Sequence, residues 1–287
     1  MQVFVFPSKF SGNKRPITAI KYLLIGSIVC VIFRIKPVFM KTLGIIPSRF
    51  ASTRFPGKPL VKIGSKTMIQ RVYQQALQAK SLTQVVIATD DERIHQHVQS
   101  FGGQSFMTKN THQSGTDRCA EVATKFQDME AIVNIQGDEP FIHPDQIDRV
   151  VRILKQNTTV NIVTLARKIT HSEDLFSPNI VKVVFNQSQQ ALYFSRQPIP
   201  FVRTTPPDNW LTVGSFYQHI GLYGYRRPTL LQLTNLPTGK LEELESLEQL
   251  RWLENGFDIG VGLTNRLTAG IDTPEDLKRL LAKGEVD

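Results

Sequence analysis

The sequence predicts an α/β protein, a three-layer sandwich around a mostly parallel sheet. Three observations carry that expectation. From Met40 onward short apolar runs alternate with amphipathic segments of helical period. Gly, Pro and Asp punctuate the boundaries, and the runs Gln84–Thr89 (QVVIAT) and Ala131–Ile135 (AIVNI) are near-continuously apolar, as strands covered on both faces are. Strands alternating with helices of this length pair in parallel through right-handed crossovers.

Leu43 to Ile46 reads as a buried strand that Pro47 stops. Thr67 to Ala79 places Met68, Ile69, Val72, Tyr73, Ala76 and Leu77 at helical spacing, and QVVIAT follows as a strand ending at Asp90-Asp91. Glu92 to Phe101 is a second helix stopped by Gly102-Gly103. Ser105 to Met107 reads as a short strand, Thr116 to Phe126 as a helix, and AIVNI as a strand opening into the loop Gln136 to Pro140. Past Asp148 the alternation loosens. Strands are expected over Val160–Ala166, Val181–Phe185, Ala191–Phe194 and Ile220–Tyr225, with a Pro-rich loop over Gln197–Asn209. One amphipathic helix is expected over Leu241–Leu253, with leucines at 241, 244, 247, 250 and 253. A strand over Phe257–Val261 and a helix starting at Thr273, with Pro274 at N1 and Glu275 and Asp276 in its first turn, complete the chain.

With 41% hydrophobic and 21% charged residues, the 287-residue chain falls outside the disordered and fibrous classes. Its net charge of +9 is unevenly placed: residues 1–39 hold Lys9, Lys14, Arg15, Lys21, Arg34 and Lys36 and no acid, leaving +3 for the rest. The body lacks the clustered basic footprint of nucleic-acid binding, so no nucleic-acid partner is expected. Cys30 and Cys119 form no paired framework and fit a reducing, cytoplasmic setting.

Residues 1–39 form an N-terminal extension. Its apolar run Tyr22 to Phe33 follows scattered cations, like a signal peptide's apolar region, but no small-residue cleavage site follows before Lys36-Pro37. The run is shorter than the roughly 20 residues of a membrane span. Three readings stand: an upstream stretch absent from the protein in the cell, with Met40 as the start; a peripheral or signal-anchor segment; or a structural arm. Membrane contact is expected only if the extension is real. The functional domain is 40–287.

The segment Leu43 to Leu60 places Arg49, Arg54 and Lys58 on a Pro- and Gly-rich loop directly after a strand, where open α/β sheets bind nucleotides. Arginines fork onto phosphate oxygens, Lys58 supplies a point charge, and Gly57 allows close backbone approach. A solvated basic loop fits the same residues, because SxR and PGKP are short and no GxxxxGK[ST] is present. Asp138, in Gln136-Gly137-Asp138-Glu139-Pro140, follows a near-continuously apolar strand, where oxygen ligands for Mg²⁺ stand. Asp272 is its candidate partner; a turn residue and a helix-dipole acid are the plainer readings of the two. Gln113-Ser114-Gly115-Thr116-Asp117-Arg118 opens a helix whose first N–H groups can read a ligand, or whose Ser114 or Thr116 is simply a cap. In the second half, Arg196, His219 and Tyr223 fall at strand ends, where an arginine suits a small carboxylate. His95 and His97 read as solvated rather than as metal ligands.

Together IIPSRFASTRFPGKPL, VVIATDD, THQSGTDR, VNIQGDEP, FSPNIVKVVF, ALYFSRQPIP, HIGLYGYR, LEELESLEQLR and GIDTPEDL stand in an order that resembles the 3-deoxy-manno-octulosonate (Kdo) cytidylyltransferases, from about Met40 to Leu281. Residues 1–39 have no counterpart there. The resemblance implies a Rossmann-like nucleotidyltransferase fold with a smaller dimerisation and sugar-binding subregion, and a homodimer. It implies attack of the anomeric hydroxyl of Kdo on the α-phosphorus of CTP, giving CMP-Kdo and diphosphate for lipopolysaccharide assembly. By motif position, Arg49, Arg54 and Lys58 hold the triphosphate, with Lys58, Asp138 and Asp272 as the catalytic group. Asp138 and Asp272 bind Mg²⁺; Gln113, Ser114, Gly115, Thr116 and Arg118 contact the nucleotide; Arg196, His219, Tyr223, Glu248 and Gln249 form the sugar pocket. No side chain stands out as general base, so metal-assisted deprotonation is expected. Two alternatives remain: a cytidylyltransferase for another acidic sugar (8-amino-Kdo or sialic acid), and a non-catalytic, membrane-associated nucleotide-binding protein.

Overall fold

The computed structural model describes residues 21–25, 28–32, 40–51, 55–266 and 270–282. The chain divides into two units, Met1–Phe39 and Met40–Asp287. In the first, β1 (Lys21–Ile25) and β2 (Ile28–Ile32) pair antiparallel, so the apolar run seen in the sequence is a hairpin where it is described. No helix among the described residues is long and apolar enough to cross a membrane.

The second unit begins with β3 (Thr42–Ser48), a 3-10 turn at Lys58–Leu60 and the short pair β4 (Lys62–Ile63) and β5 (Lys66–Thr67). It continues with α1 (Met68–Leu77), β6 (Gln84–Thr89), α2 (Glu92–Ser100), β7 (Ser105–Met107), α3 (Gly115–Thr124) and β8 (Ala131–Asn134). Then come α4 (Pro144–Gln156), β9 (Ile162–Lys168), α5 (Ser172–Phe176), β10 (Lys182–Phe185), β11 (Ala191–Ser195) and α6 (Trp210–Val213). The last elements are β12 (Tyr217–Arg226), α7 (Arg227–Leu233), α8 (Lys240–Glu245), α9 (Glu248–Glu254), β13 (Ile259–Leu263) and α10 (Pro274–Ala282).

The central sheet runs β7-β6-β3-β8-β12, with β9 on the other edge of β12 and β13 beyond it; β10 and β11 extend from the end of β12 that β8 leaves unpaired. Pairing is parallel through β7, β6, β3 and β8 and again between β9 and β13, while β12 is antiparallel to β8, β9 and β10. The sheet is thus mixed but mostly parallel, with β12 and the edge strand β11 running against the rest.

Alternation along the strands sends successive side chains to opposite faces. Val85 and Ile87 join α1, α2 and α4 through Ile69, Val72, Ile94, Val98, Ile147 and Val150. Val86 and Ala88 join α3, α7 and α9 through Cys119, Val122, Leu230, Leu250 and Trp252. These two cores make the three layers expected.

Three details differ from expectation. Pro47 does not end β3, which continues to Ser48 against β6. Pairing with β8 stops at Ile45, and Pro47, two residues on, faces that vacated edge, so its missing N–H forfeits no ladder bond. The helix expected over 241–253 is two helices broken at Ser246, whose φ is 51°. Leucines spaced by three drift about 60° per step around a 3.6-residue helix, so one straight helix cannot bury them all, and Leu244 is 80% exposed. Finally, α4 occupies the region where the alternation reads as loosening. His143 caps it, Pro144 starts it, and Ile147, Val150, Val151 and Leu154 form its buried face.

Candidate active site

The C-terminal ends of β3 and β8 open onto one cavity of about 310 Å³. After β3 the chain leaves in a loop closed by Gly57 N–H donating to Phe50 O at 3.1 Å; Gly57 adopts φ 70°, and its backbone lies over the Phe50 ring. Arg49 and Lys58 therefore emerge on either side of this clasp, and both line the cavity. Arg54 lies outside the described residues.

Lys58 Nζ donates to Asp138 Oδ2 at 2.7 Å and to Asp272 Oδ1 at 3.2 Å. Asp138 stands just past β8 and Asp272 just before α10, and Ile271 N–H donates to Asp138 O at 3.0 Å, lacing the two segments together. The carboxyl group of Asp276 accepts the N–H groups of Asp272 and Thr273 at 3.1 and 2.9 Å, fixing the turn that presents Asp272.

The α3 side of the cavity is a reciprocal cap: Ser114 Oγ accepts Asp117 N–H at 3.1 Å, and Asp117 Oδ2 accepts Ser114 N–H at 3.0 Å. The first-turn N–H groups of Gly115 and Thr116 have no intrahelical acceptor. Gln113, Ser114, Gly115 and Arg118 line the cavity with Arg49, Lys58, Asp138 and Asp272. Arg118 is 4% exposed and is already bonded to Asp90 at 2.9 Å and to Thr108, so it braces the wall from behind. Thr116 turns away, donating to Glu248 Oε2 at 2.7 Å.

The second group is less tightly gathered. His219 and Tyr223 lie side by side on β12 with ring centroids 5.3 Å apart. Burial holds the His219 pKa down at about 3, so the ring is neutral, with Nε2 2.9 Å from Thr164 Oγ1. Glu248 opens α9, bonded to Thr116 and, at 3.0 Å, to Arg251; burial raises its pKa despite those partners. Gln249 beside it is buried. Arg196 stands apart from these, its guanidinium on the carbonyls of Glu245, Pro178 and Ser246 at 2.7, 3.0 and 3.3 Å.

His112 and Gln136 are among the lining residues that the sequence reading did not assign. His112, one residue before Gln113, has Nε2 2.5 Å from Glu121 Oε2. Gln136 donates to Gly221 O at 3.0 Å, joining the cavity to β12. Both sit inside the motifs THQSGTDR and VNIQGDEP, so the signal lay in position rather than in chemistry. His95 and His97 approach separate hydroxyls, Ser105 and Thr67, and share no centre.

Among the described residues no group of three or more His, Cys, Asp and Glu gathers as a metal site. The carboxylates of Asp138 and Asp272 nevertheless converge on one cation, the Lys58 ammonium. That donor set suits a hard divalent ion whose remaining ligands are phosphate oxygens and water.

A sequence profile described as cytidylyltransferase matches residues 43–259. The 3-deoxy-manno-octulosonate cytidylyltransferase of Parabacteroides distasonis is 51% identical over 248 residues, 85% of this chain and 98% of its own. The chain belongs to this cytidylyltransferase family. A second 3-deoxy-manno-octulosonate cytidylyltransferase, from Bacteroides thetaiotaomicron, is 53% identical over 243 residues, 83% of this chain and 96% of its own. A solved CMP:2-keto-3-deoxy-manno-octonic acid synthetase complexed with CTP superposes with TM-score 0.79 at 41% identity, covering 85% of this chain and 98% of that one. The 4-diphosphocytidyl-2C-methyl-D-erythritol synthase of Anaerococcus prevotii, 12% identical over 85% of this chain and 99% of its own, shares the fold with TM-score 0.56. The cytidylyltransferase profile stops before Asp272, so the place of that residue in the site rests on its contact with Lys58.

Proposed function

We propose that the enzyme transfers CMP from CTP to Kdo, releasing diphosphate and supplying CMP-Kdo for lipopolysaccharide assembly. One observation carries the reading: Lys58, Asp138 and Asp272, from three distant segments, meet at one cavity at the C-terminal end of parallel strands in a cytidylyltransferase fold. In the reaction the anomeric hydroxyl oxygen of Kdo bonds to the α-phosphorus, the bond from that phosphorus to the oxygen bridging to the β-phosphate breaks, and the hydroxyl proton is lost. Phosphoryl-type transfer asks mainly for alignment and charge neutralisation.

Arg49, Arg54 and Lys58 are assigned to the triphosphate, where their charges offset the charge gathering on the leaving diphosphate. The N–H groups at the start of α3, with Gln113 and Ser114, are assigned to the nucleotide. Asp138 and Asp272 are assigned to a divalent ion, Mg²⁺ on this reading, which when bound would lower the pKa of the attacking hydroxyl. His219, Tyr223, Glu248 and Gln249 are assigned to the sugar hydroxyls. Arg196 is assigned to the carboxylate: three of its five N–H groups are engaged with carbonyls, leaving one on each terminal nitrogen for the two carboxylate oxygens. A homodimer, which rests on the family resemblance, and a cytoplasmic location, which rests on the cysteine pattern, complete the reading; light scattering on the purified chain tests the first.

The deciding experiment is diphosphate release with CTP and Mg²⁺, with and without Kdo. Release that needs Kdo supports the reading. Efficient release with sialic acid but not Kdo, or none with either, overturns it.

A further inference from the structure

Lys182 opens β10 and is completely buried, yet it lies outside the site described above. Its Nζ donates to three carbonyl oxygens, Ser177 at 2.8 Å, Ile180 at 2.6 Å and Arg196 at 2.5 Å, one for each N–H bond. Glu245, at the end of α8, completes the network: Oε1 accepts Ser195 Oγ at 2.6 Å and Oε2 accepts Arg196 N–H at 2.9 Å. The Arg196 guanidinium spans the same pieces, from Pro178 to Glu245 and Ser246.

We propose that Lys182 and Glu245 are positioning residues for the acceptor sugar, holding Arg196 and the first turn of α9 where the sugar acid meets them. The inference rests on the functional reading above, in which Arg196, Glu248 and Gln249 face that acceptor.

The clasp joins the loop after α5 and the end of β11, neighbours in the sheet where Lys182 pairs with Ser195, to the break between α8 and α9. At the break Ser246 takes φ 51°, a left-handed conformation unfavourable for a residue with a Cβ and maintained only where surroundings dictate it. Two residues later α9 begins with Glu248 and Gln249, so the aim of both side chains depends on the geometry of this turn. A buried ammonium is costly, and an apolar side chain of similar volume commonly serves stability as well or better. What the apolar side chain cannot do is hold three carbonyls at fixed distances from one atom.

The charged groups acting on Lys182 are Glu245 and Arg196, and burial lowers its pKa to about 8, with the Glu245 carboxylate opposing the drop and Arg196 adding to it. As pH rises past that value the amine keeps two N–H groups for three carbonyls. Sugar-acid binding therefore weakens on the alkaline side. Stability alone predicts the opposite sign: a lysine whose folded pKa lies below its unfolded value binds fewer protons when folded, so its titration favours the fold as pH rises.

The test measures diphosphate release by the full chain, varying CTP and Kdo separately from pH 7 to 9, for wild type, Lys182→Met and Glu245→Gln. Wild type should show KM for Kdo rising above about pH 8 while KM for CTP does not follow. Lys182→Met should raise KM for Kdo about tenfold or more, the scale of a lost charge-assisted hydrogen bond, and lose the alkaline rise. Glu245→Gln should raise KM for Kdo less and move the rise to lower pH, because the carboxylate favouring the ammonium is gone. Equal changes in both KM values, or no change in KM for Kdo, overturn the proposal. If Lys182→Met does not fold, Glu245→Gln and the wild-type pH profile decide by the same criteria. Absence of Kdo-dependent release in wild type overturns the functional reading, and this inference with it.

Discussion

Lys58 Nζ stands 2.7 Å from Asp138 Oδ2, so an ammonium occupies the point where the Asp138 and Asp272 carboxylates converge. The same lysine is assigned to the triphosphate, and it cannot serve phosphate and both carboxylates at full strength. Phosphate oxygens drawing Lys58 away would leave two carboxylates whose charge a divalent ion can answer. Metal and nucleotide binding should therefore be cooperative, each tightening the other by roughly 5- to 150-fold, the usual range of coupling between two sites. Mn²⁺ titrated into the protein and followed by electron paramagnetic resonance, with and without CTP, measures this. In Lys58→Met the nucleotide-free protein should bind Mn²⁺ more tightly than wild type, and the synergy should shrink.

Removing one carboxylate leaves Lys58 with the other. Asp272→Ala should keep the turn before α10, because Asp276 is bonded to the backbone N–H of Asp272 and not to its side chain. The fold should survive while turnover falls by about 10²-fold or more, the scale of one lost electrostatic group in a charged transition state. Near-normal turnover with unchanged Mg²⁺ dependence would remove Asp272 from the site.

Gly137 tests how closely the strand ends must approach. A Cβ there would lie 2.8 Å from Pro47 O, a backbone atom that cannot rotate away. Gly137→Ala should cost about 1–3 kcal/mol of stability and displace Asp138 from Lys58. The matching readouts are a lowered denaturation midpoint and a raised KM for CTP.

The layers and the strands around the cavity were legible because their signals are local: QVVIAT and AIVNI are near-continuously apolar, and Ser114 was one of two cap candidates at the start of α3. Lys58, Asp138 and Asp272 could be named from their places in the motifs, but the direct contact of the Lys58 ammonium with both carboxylates could not, since a contact across 214 positions leaves no periodic trace. The break at Ser246 was hidden for a related reason. The Leu241–Leu253 spacing looks helical at each step and fails only when summed, and the left-handed turn depends on Arg196, a residue distant in sequence. Lys182 gave no signal at all, because a lysine in a sequence does not announce its burial.

Glu248 yields a prediction with a definite sign. Burial raises its pKa above the ordinary carboxylate value even with Thr116 and Arg251 beside it, so the folded protein holds this proton more tightly than the unfolded chain. The resulting stabilisation is complete below the unfolded pKa and is lost as pH rises through the folded one. Glu248→Gln should flatten this loss and leave the protein as stable as wild type, or somewhat more so, at pH 7. If Glu248 accepts sugar hydroxyls, the same variant should raise KM for Kdo. Thermal melts from pH 4 to 8, paired with KM values for both substrates, separate the two effects.

The last prediction concerns Met1–Phe39. Every assigned residue lies in the unit from Met40 onward, which has its own two-sided core. A chain starting at Met40 should keep turnover within about twofold, as expected when a cut removes none of a unit's buried groups. Starting at Leu43 should not be tolerated equally. Met40 is 6% exposed within the core, its carbonyl accepts Thr42 Oγ1 at 3.2 Å, and Thr42 N–H donates to Thr83 Oγ1 at 3.0 Å. Losing that buried methionine alone should cost about 2 kcal/mol or more. Denaturation and diphosphate release for the two truncations measure the difference, and a large loss of turnover in the Met40 chain would assign the extension a part in the reaction.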